Sequence, residues 1–146
     1  MQSDDAVAER LMKRRANALF ALSLIFVVSQ GSFIGSGPPP GTLRISAWVV
    51  MAVALLAFFA TGGGWTRPAN VRALMNDEST RTHRARATTI AFYNMMASGV
   101  VVYVLGLFKP VSGGEAAHLI MTVGIASALM AFWGLERAAL RNTDAL

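Results

Sequence analysis

The chain has 146 residues, room for one domain and too few for two independent ones. Of these, 54% are apolar and only 14% charged, against about 25% charged in an average soluble domain, so the polar surface that coats a water-soluble globule is missing. The formal net charge is +5 and there is no cysteine, which excludes disulfides, thiolate metal sites, iron–sulfur ligation and thiol redox chemistry.

A hydrocarbon core about 30 Å thick needs roughly 20 apolar residues of helix, with a working range of about 17–25. The first such run, Ala16 to Ile34, follows a basic tail carrying Arg10, Lys13, Arg14 and Arg15. A secretory signal begins the same way. No Ala-x-Ala type cleavage site follows, however, and the run is long enough to span, so a retained anchor is expected. The segment Gly35-Ser36-Gly37-Pro38-Pro39-Pro40-Gly41 ends it. A shorter second span covers Ile45 to Thr61 and stops at Gly62-Gly63-Gly64. The third runs from Thr88 to Phe108 and the fourth from Ala116 to Leu135, with Lys109-Pro110 and Gly113-Gly114 read as the break between them.

None of the four spans contains Asp, Glu, Lys or Arg. Eleven of the thirteen basic residues lie in the N-terminal tail, the 62–87 loop and the C-terminal tail, while the other two loops hold only Arg44 and Lys109. By the positive-inside rule both termini and the 62–87 loop are cytoplasmic. The expected architecture is an all-α membrane protein, a four-transmembrane-helix bundle of one domain. Trp65 and Trp133 fall at cytoplasmic helix ends and Trp48 near the outer start of the second span, where amphipathic rings favour the headgroup level.

Helices in lipid gain little from burying apolar surface against each other, so close approach through small residues supplies the contact. The fourth span offers Ala117, Gly124, Ala131 and Ala138 at seven-residue spacing, with Ala128 on the same face. Gly99 and Gly106 do the same in the third, and Gly31 and Gly35 form a small-xxx-small pair late in the first. A left-handed bundle is expected, with part of this surface open to a partner subunit or a second copy. An offset of 71 residues aligns Lys13-Arg14-Arg15-Ala16 with Arg84-Ala85-Arg86-Ala87 and Pro39 with Pro110, a hint of a duplicated hairpin in parallel orientation.

The 65–87 loop is the most informative stretch. Pro68 suits the first turn of a short surface helix presenting Val71, Leu74 and Met75 on one face. Asn76 is placed to cap a new helix whose first turn carries Asp77 and Glu78, where the dipole favours negative charge. Asp77 and Arg81 stand at i,i+4, and Arg84 and Arg86 then meet anionic headgroups at the entrance to the bilayer.

The run Asn76-Asp77-Glu78-Ser79-Thr80-Arg81-Thr82-His83-Arg84-Ala85-Arg86-Ala87, leading straight into an apolar helix, resembles a signature of uncharacterised small bacterial inner-membrane proteins. Those proteins carry an Asp-Glu-x-Thr-Arg stretch, a basic residue or two and an alanine before a transmembrane helix, and many are encoded beside a small helix-turn-helix regulator. Ser79 stands where the pattern often has arginine. The resemblance covers twelve residues and the hydropathy plan. It implies no established activity, but favours a cytoplasmic regulator held through the 66–87 loop and the basic N-terminal tail, with Asp77, Glu78, Arg81, Arg84 and Arg86 as the candidate contact residues. The same residues also suffice as a capped, dipole-matched helix entrance with no partner.

Little else in the chain points to chemistry. With no charged residue inside a span, no buried carboxylate is expected, which speaks against proton-coupled export. Of the polar residues in the spans, Asn17 and Gln30 lie near helix ends, while Asn94 sits deeper and is expected to hydrogen-bond a neighbouring helix. His83 and His118 fall on opposite sides of the membrane and cannot clamp one haem, and His118 reads as an interfacial histidine. No His and carboxylate cluster suits a metal, no glycine-rich phosphate loop is present, and no Ser-His-Asp constellation exists. The basic residues lie along helix ends with no recognition helix or aromatic platform, so direct nucleic-acid binding is not expected. The expectation is therefore a non-enzymatic protein with no cofactor, embedded among anionic headgroups and working through protein contact. An accessory transmembrane subunit of a respiratory or photosynthetic complex is the runner-up. An oligomeric transporter or channel for an uncharged solute comes third.

Overall fold

The computed structural model describes residues 2–30, 41–61 and 78–143. Within them the chain is all helical: α1 (Gln2–Gln30), α2 (Thr42–Thr61), α3 (Glu78–Phe108) and α4 (Gly113–Thr143). Three helices are long and apolar enough to cross a membrane, over Thr42–Thr61, Glu78–Phe108 and Gly113–Ala139, while α1 has a shorter apolar part, Asn17–Gln30. The expected first span began at Ala16, yet α1 starts at Gln2. Its first turns read Ala6-Val7-Ala8-Glu9-Arg10-Leu11-Met12-Lys13, mostly strong helix formers, so the basic tail continues the helix. Residues 31–34 of that span, with Gly31, Gly35, Trp65, Asn76 and Asp77, lie outside the described residues.

α4 is the hub. It packs most extensively on α3, then on α1 and least on α2, while α1 and α2 hardly touch. Registers follow from the paired side chains. Gly99 of α3 faces Ile120 of α4 and Met95 faces Gly124, so these two helices run antiparallel. Phe20 of α1 stacks on Trp133 of α4 with ring centroids 4.7 Å apart, and Trp48 and Phe59 of α2 meet His118 and Phe132 at 4.6 and 5.7 Å. α2 therefore runs parallel to α4. The starts of α1 and α3 and the ends of α2 and α4 share one end of the bundle, called the basic end below. The α1–α2 and α3–α4 hairpins pack differently, so the packing lends no support to a duplicated unit.

Each helix turns a narrow stripe inward at helical spacing. On α1 this is Leu19, Ser23, Phe26 and Gln30; on α2 it is Trp48, Ala52 and Leu55. α4, with neighbours on several sides, buries Gly124, Ile125, Ala128, Leu129, Phe132 and Glu136. Gln30 does not wait for headgroups at its helix end: it is buried, and its Nε2 donates to Phe26 O at 2.8 Å. Trp48 is buried as well. Its ring is buried on His118, because that face of α2 meets the start of α4.

Small residues pack in part: Ala52 of α2 and Ala87 and Ala91 of α3 are buried, and the expected faces divide. Ala128 is buried and Ala131 half-buried, whereas Ala117 and Ala138 are exposed. Gly106 has open space where its side chain would be. By the Gly99–Ile120 register it falls opposite Gly113, and with no side chain on either helix nothing fills the gap.

Gly113 and Gly114 belong to the first turn of α4, where a break was expected. A capping box that the sequence reading missed starts this helix. Ser112 Oγ accepts from Glu115 N–H at 3.2 Å, and the Glu115 carboxylate accepts from Ser112 N–H at 2.9 Å. The reciprocal bonds satisfy two donors that a helix start leaves open, and so outweigh the low helix propensity of two glycines.

Candidate functional site at the basic end

α3 starts ten residues before its apolar stretch at Thr88, and these ten residues divide into two faces. Thr80 and Ala87 are buried and His83 and Arg84 half-buried, at steps of three, one and three residues that put them on one side of the helix. Glu78, Ser79, Arg81, Thr82, Ala85 and Arg86 are exposed on the other.

The inner face grips two other helices. Glu136 lies one residue past the expected end of the fourth span and is buried. This corrects the expectation that the chain has no buried carboxylate: the residue follows the apolar run closely enough to be drawn under α3. Thr80 Oγ1 donates to Glu136 Oε1 at 3.4 Å, and His83 Nδ1 stands 3.8 Å from the same oxygen. Arg84 is attracted by Glu136 and repelled by Arg81. Its Nη1 donates to Ala60 O of α2 at 2.8 Å. Ala60 lies in the last turn of α2, where carbonyls lack intrahelical partners and the dipole favours a cation. Thr80, His83 and Arg84 thus clamp the entrance of α3 to the ends of α4 and α2.

His83 and Glu136 are metal-type ligands, but no third His, Cys, Asp or Glu joins them among the described residues. His118, at the opposite end beside Trp48, cannot contribute.

Of the residues expected to meet a partner, the structure places Glu78, Arg81 and Arg86 together on the exposed face and turns Arg84 inward. Asp77 lies outside the described residues. Neighbouring helices add positive charge at this end: Lys13 and Arg14 of α1 and Arg137 and Arg141 of α4 are exposed. The Arg137 guanidinium lies 5.4 Å from the centre of the half-buried Trp133 ring. Trp133 therefore sits at the basic end, wedged between Phe20 and Arg137.

Glu136 was missed because it directly follows the apolar run and reads as the start of the charged tail. The signal that points to a partner for it is the helical spacing of Thr80, His83, Arg84 and Ala87, which marks an inner face before the apolar stretch begins.

The architecture defines an all-α protein in which, among the described residues, three helices are long and apolar enough to cross a membrane. Compared with protein-family models, curated proteins and solved structures, the chain matches none.

Proposed function

We propose that the chain is a multi-pass bacterial inner-membrane protein with four transmembrane helices and both termini cytoplasmic. It acts without catalysis, by holding a cytoplasmic protein at the membrane. Two observations support the membrane placement. Large apolar side chains such as Val28, Val50, Tyr103 and Leu107 stand mostly exposed around the helices, as lipid-facing side chains do. Basic residues from the starts of α1 and α3 and the end of α4 gather at one end, in keeping with the positive-inside rule.

One observation carries the docking reading. The inner face of 78–87 is fixed to α2 and α4, while Glu78, Arg81 and Arg86 are exposed on the outer face. A charged surface on a helix already held rigid loses little conformational entropy when a partner binds. The resemblance to proteins encoded beside helix-turn-helix regulators makes such a regulator the favoured partner.

The test is a pull-down from native membranes in mild detergent, with mass spectrometry of what co-purifies. A small DNA-binding protein is expected, and it is lost when Glu78, Arg81 and Arg86 are together changed to Ala without loss of expression or fold. Recovery of a large membrane complex, unaffected by that triple change, would replace docking with an accessory-subunit role.

A further inference from the structure

α3 exposes a second surface, inside its apolar stretch. Ile90, Asn94, Ala97, Val101, Val104 and Phe108 are all exposed and follow one another at alternating steps of four and three residues. That spacing is the seam of a helix that pairs with another helix. Among the three long apolar helices, α3 has the smallest buried share in its apolar window. Asn94 stands six residues inside the stretch that begins at Thr88, about 9 Å along the helix. Its amide was expected to bond a neighbouring helix, yet it points out of the bundle and makes no hydrogen bond to a described residue. A polar group facing hydrocarbon at that depth loses its water without replacement.

We propose that this seam pairs with the same seam of a second copy of the chain, Asn94 opposite Asn94. The choice of occupant follows from symmetry and from the amide itself. Two copies inserted in the same direction are related by a two-fold axis along the membrane normal, so their α3 helices run parallel and every residue meets its own equivalent at the same depth. The amide both donates and accepts, so it is complementary to itself. One asparagine in an apolar seam sets register and oligomeric state, and Ala97, one turn on, lets the backbones approach. The pairing also brings the two 78–87 entrances side by side, a two-fold surface suited to a symmetric cytoplasmic partner. This last point rests on the docking reading; the pairing itself rests only on membrane insertion.

The chain has no cysteine, so single cysteines report neighbours without background. Membranes are first washed at alkaline pH; retention of the protein establishes insertion separately from pairing. Mild oxidation should then join Ala97→Cys and Val101→Cys into dimers. Phe92→Cys and Val100→Cys, on the side of α3 that lines a groove of about 370 Å³, should stay monomeric. Asn94→Leu should weaken self-association in detergent by roughly three- to thirty-fold, the range for an interhelical polar contact. Equal crosslinking on both sides, no crosslinking in the retained protein, or unchanged association of Asn94→Leu would overturn the proposal. Crosslinking of the seam to a different membrane protein would do so as well.

Discussion

Thr80 Oγ1 donates a hydrogen bond to Glu136 Oε1 over 3.4 Å, linking side chains 56 positions apart and both buried. The bond fixes how the end of α4 meets the start of α3. Changing Glu136 to Ala removes the acceptor and leaves the Thr80 hydroxyl buried without one, a loss of about 1–3 kcal/mol. Glu136→Gln retains a carbonyl oxygen for Thr80 and should cost less. Equilibrium unfolding in mixed detergent micelles, followed by circular dichroism, gives both values. Two variants as stable as the parent would show that the clamp contributes nothing.

Arg84 and Arg81 are three residues apart and serve different ends. Arg84 donates to Ala60 O of α2, whereas Arg81 is exposed. Arg84→Ala should lower stability by about 1 kcal/mol through the lost hydrogen bond to Ala60 O. Arg81→Ala should stay within about 0.5 kcal/mol, as surface changes do. In a pull-down the ranking reverses, with Arg81→Ala reducing partner recovery more. Equal effects in both assays would mean that the two faces of 78–87 are not distinct.

The legible part of this molecule was its long-range pattern. Apolar runs of spanning length located α2 and the end of α3 to within a few residues, whereas α3 begins ten residues before the expected span and α4 takes in the glycine pair read as a break. Features that depend on which side of a helix faces a neighbour were harder to read. Trp48 has the chemistry of a headgroup anchor, and only the approach of α4 decides that its ring is buried on His118. Gly99 and Gly106 are equivalent by spacing, but one meets Ile120 and the other meets open space. Glu136 looked like the first residue of a tail, because composition averages over the turn in which a helix leaves its apolar stretch. Arg84 and Arg86 were likewise indistinguishable by charge, and differ through the helical phase that aims Arg84 at α2.

The start of α4 depends on its capping box more than most helix starts, because Gly113 and Gly114 follow at once. Ser112→Ala removes the side-chain acceptor for Glu115 N–H and should cost about 0.5–2 kcal/mol. Gly114→Ala should offset part of that loss, since a Cβ there meets nothing within 4 Å and alanine favours helix by about 1 kcal/mol over glycine. Amide exchange over 112–118 locates the effect. Unchanged protection in Ser112→Ala would show that the box is dispensable.

Gly124 has the least room of the described glycines: a Cβ built there would lie 2.5 Å from both Cγ and Sδ of Met95. Met95 has three rotatable bonds, so Gly124→Ala should push the thioether aside at a cost of about 1–3 kcal/mol, the usual range for overpacking. A larger side chain leaves Met95 no such escape, and Gly124→Leu should separate the two helices and weaken the clamp between Thr80 and Glu136. Met95→Ala frees the volume that the new methyl needs. The double variant Met95→Ala, Gly124→Ala should therefore be more stable than the two single losses predict, by about 0.5 kcal/mol or more. Additive losses in the same detergent unfolding assay would mean that Met95 does not occupy the space in front of Gly124.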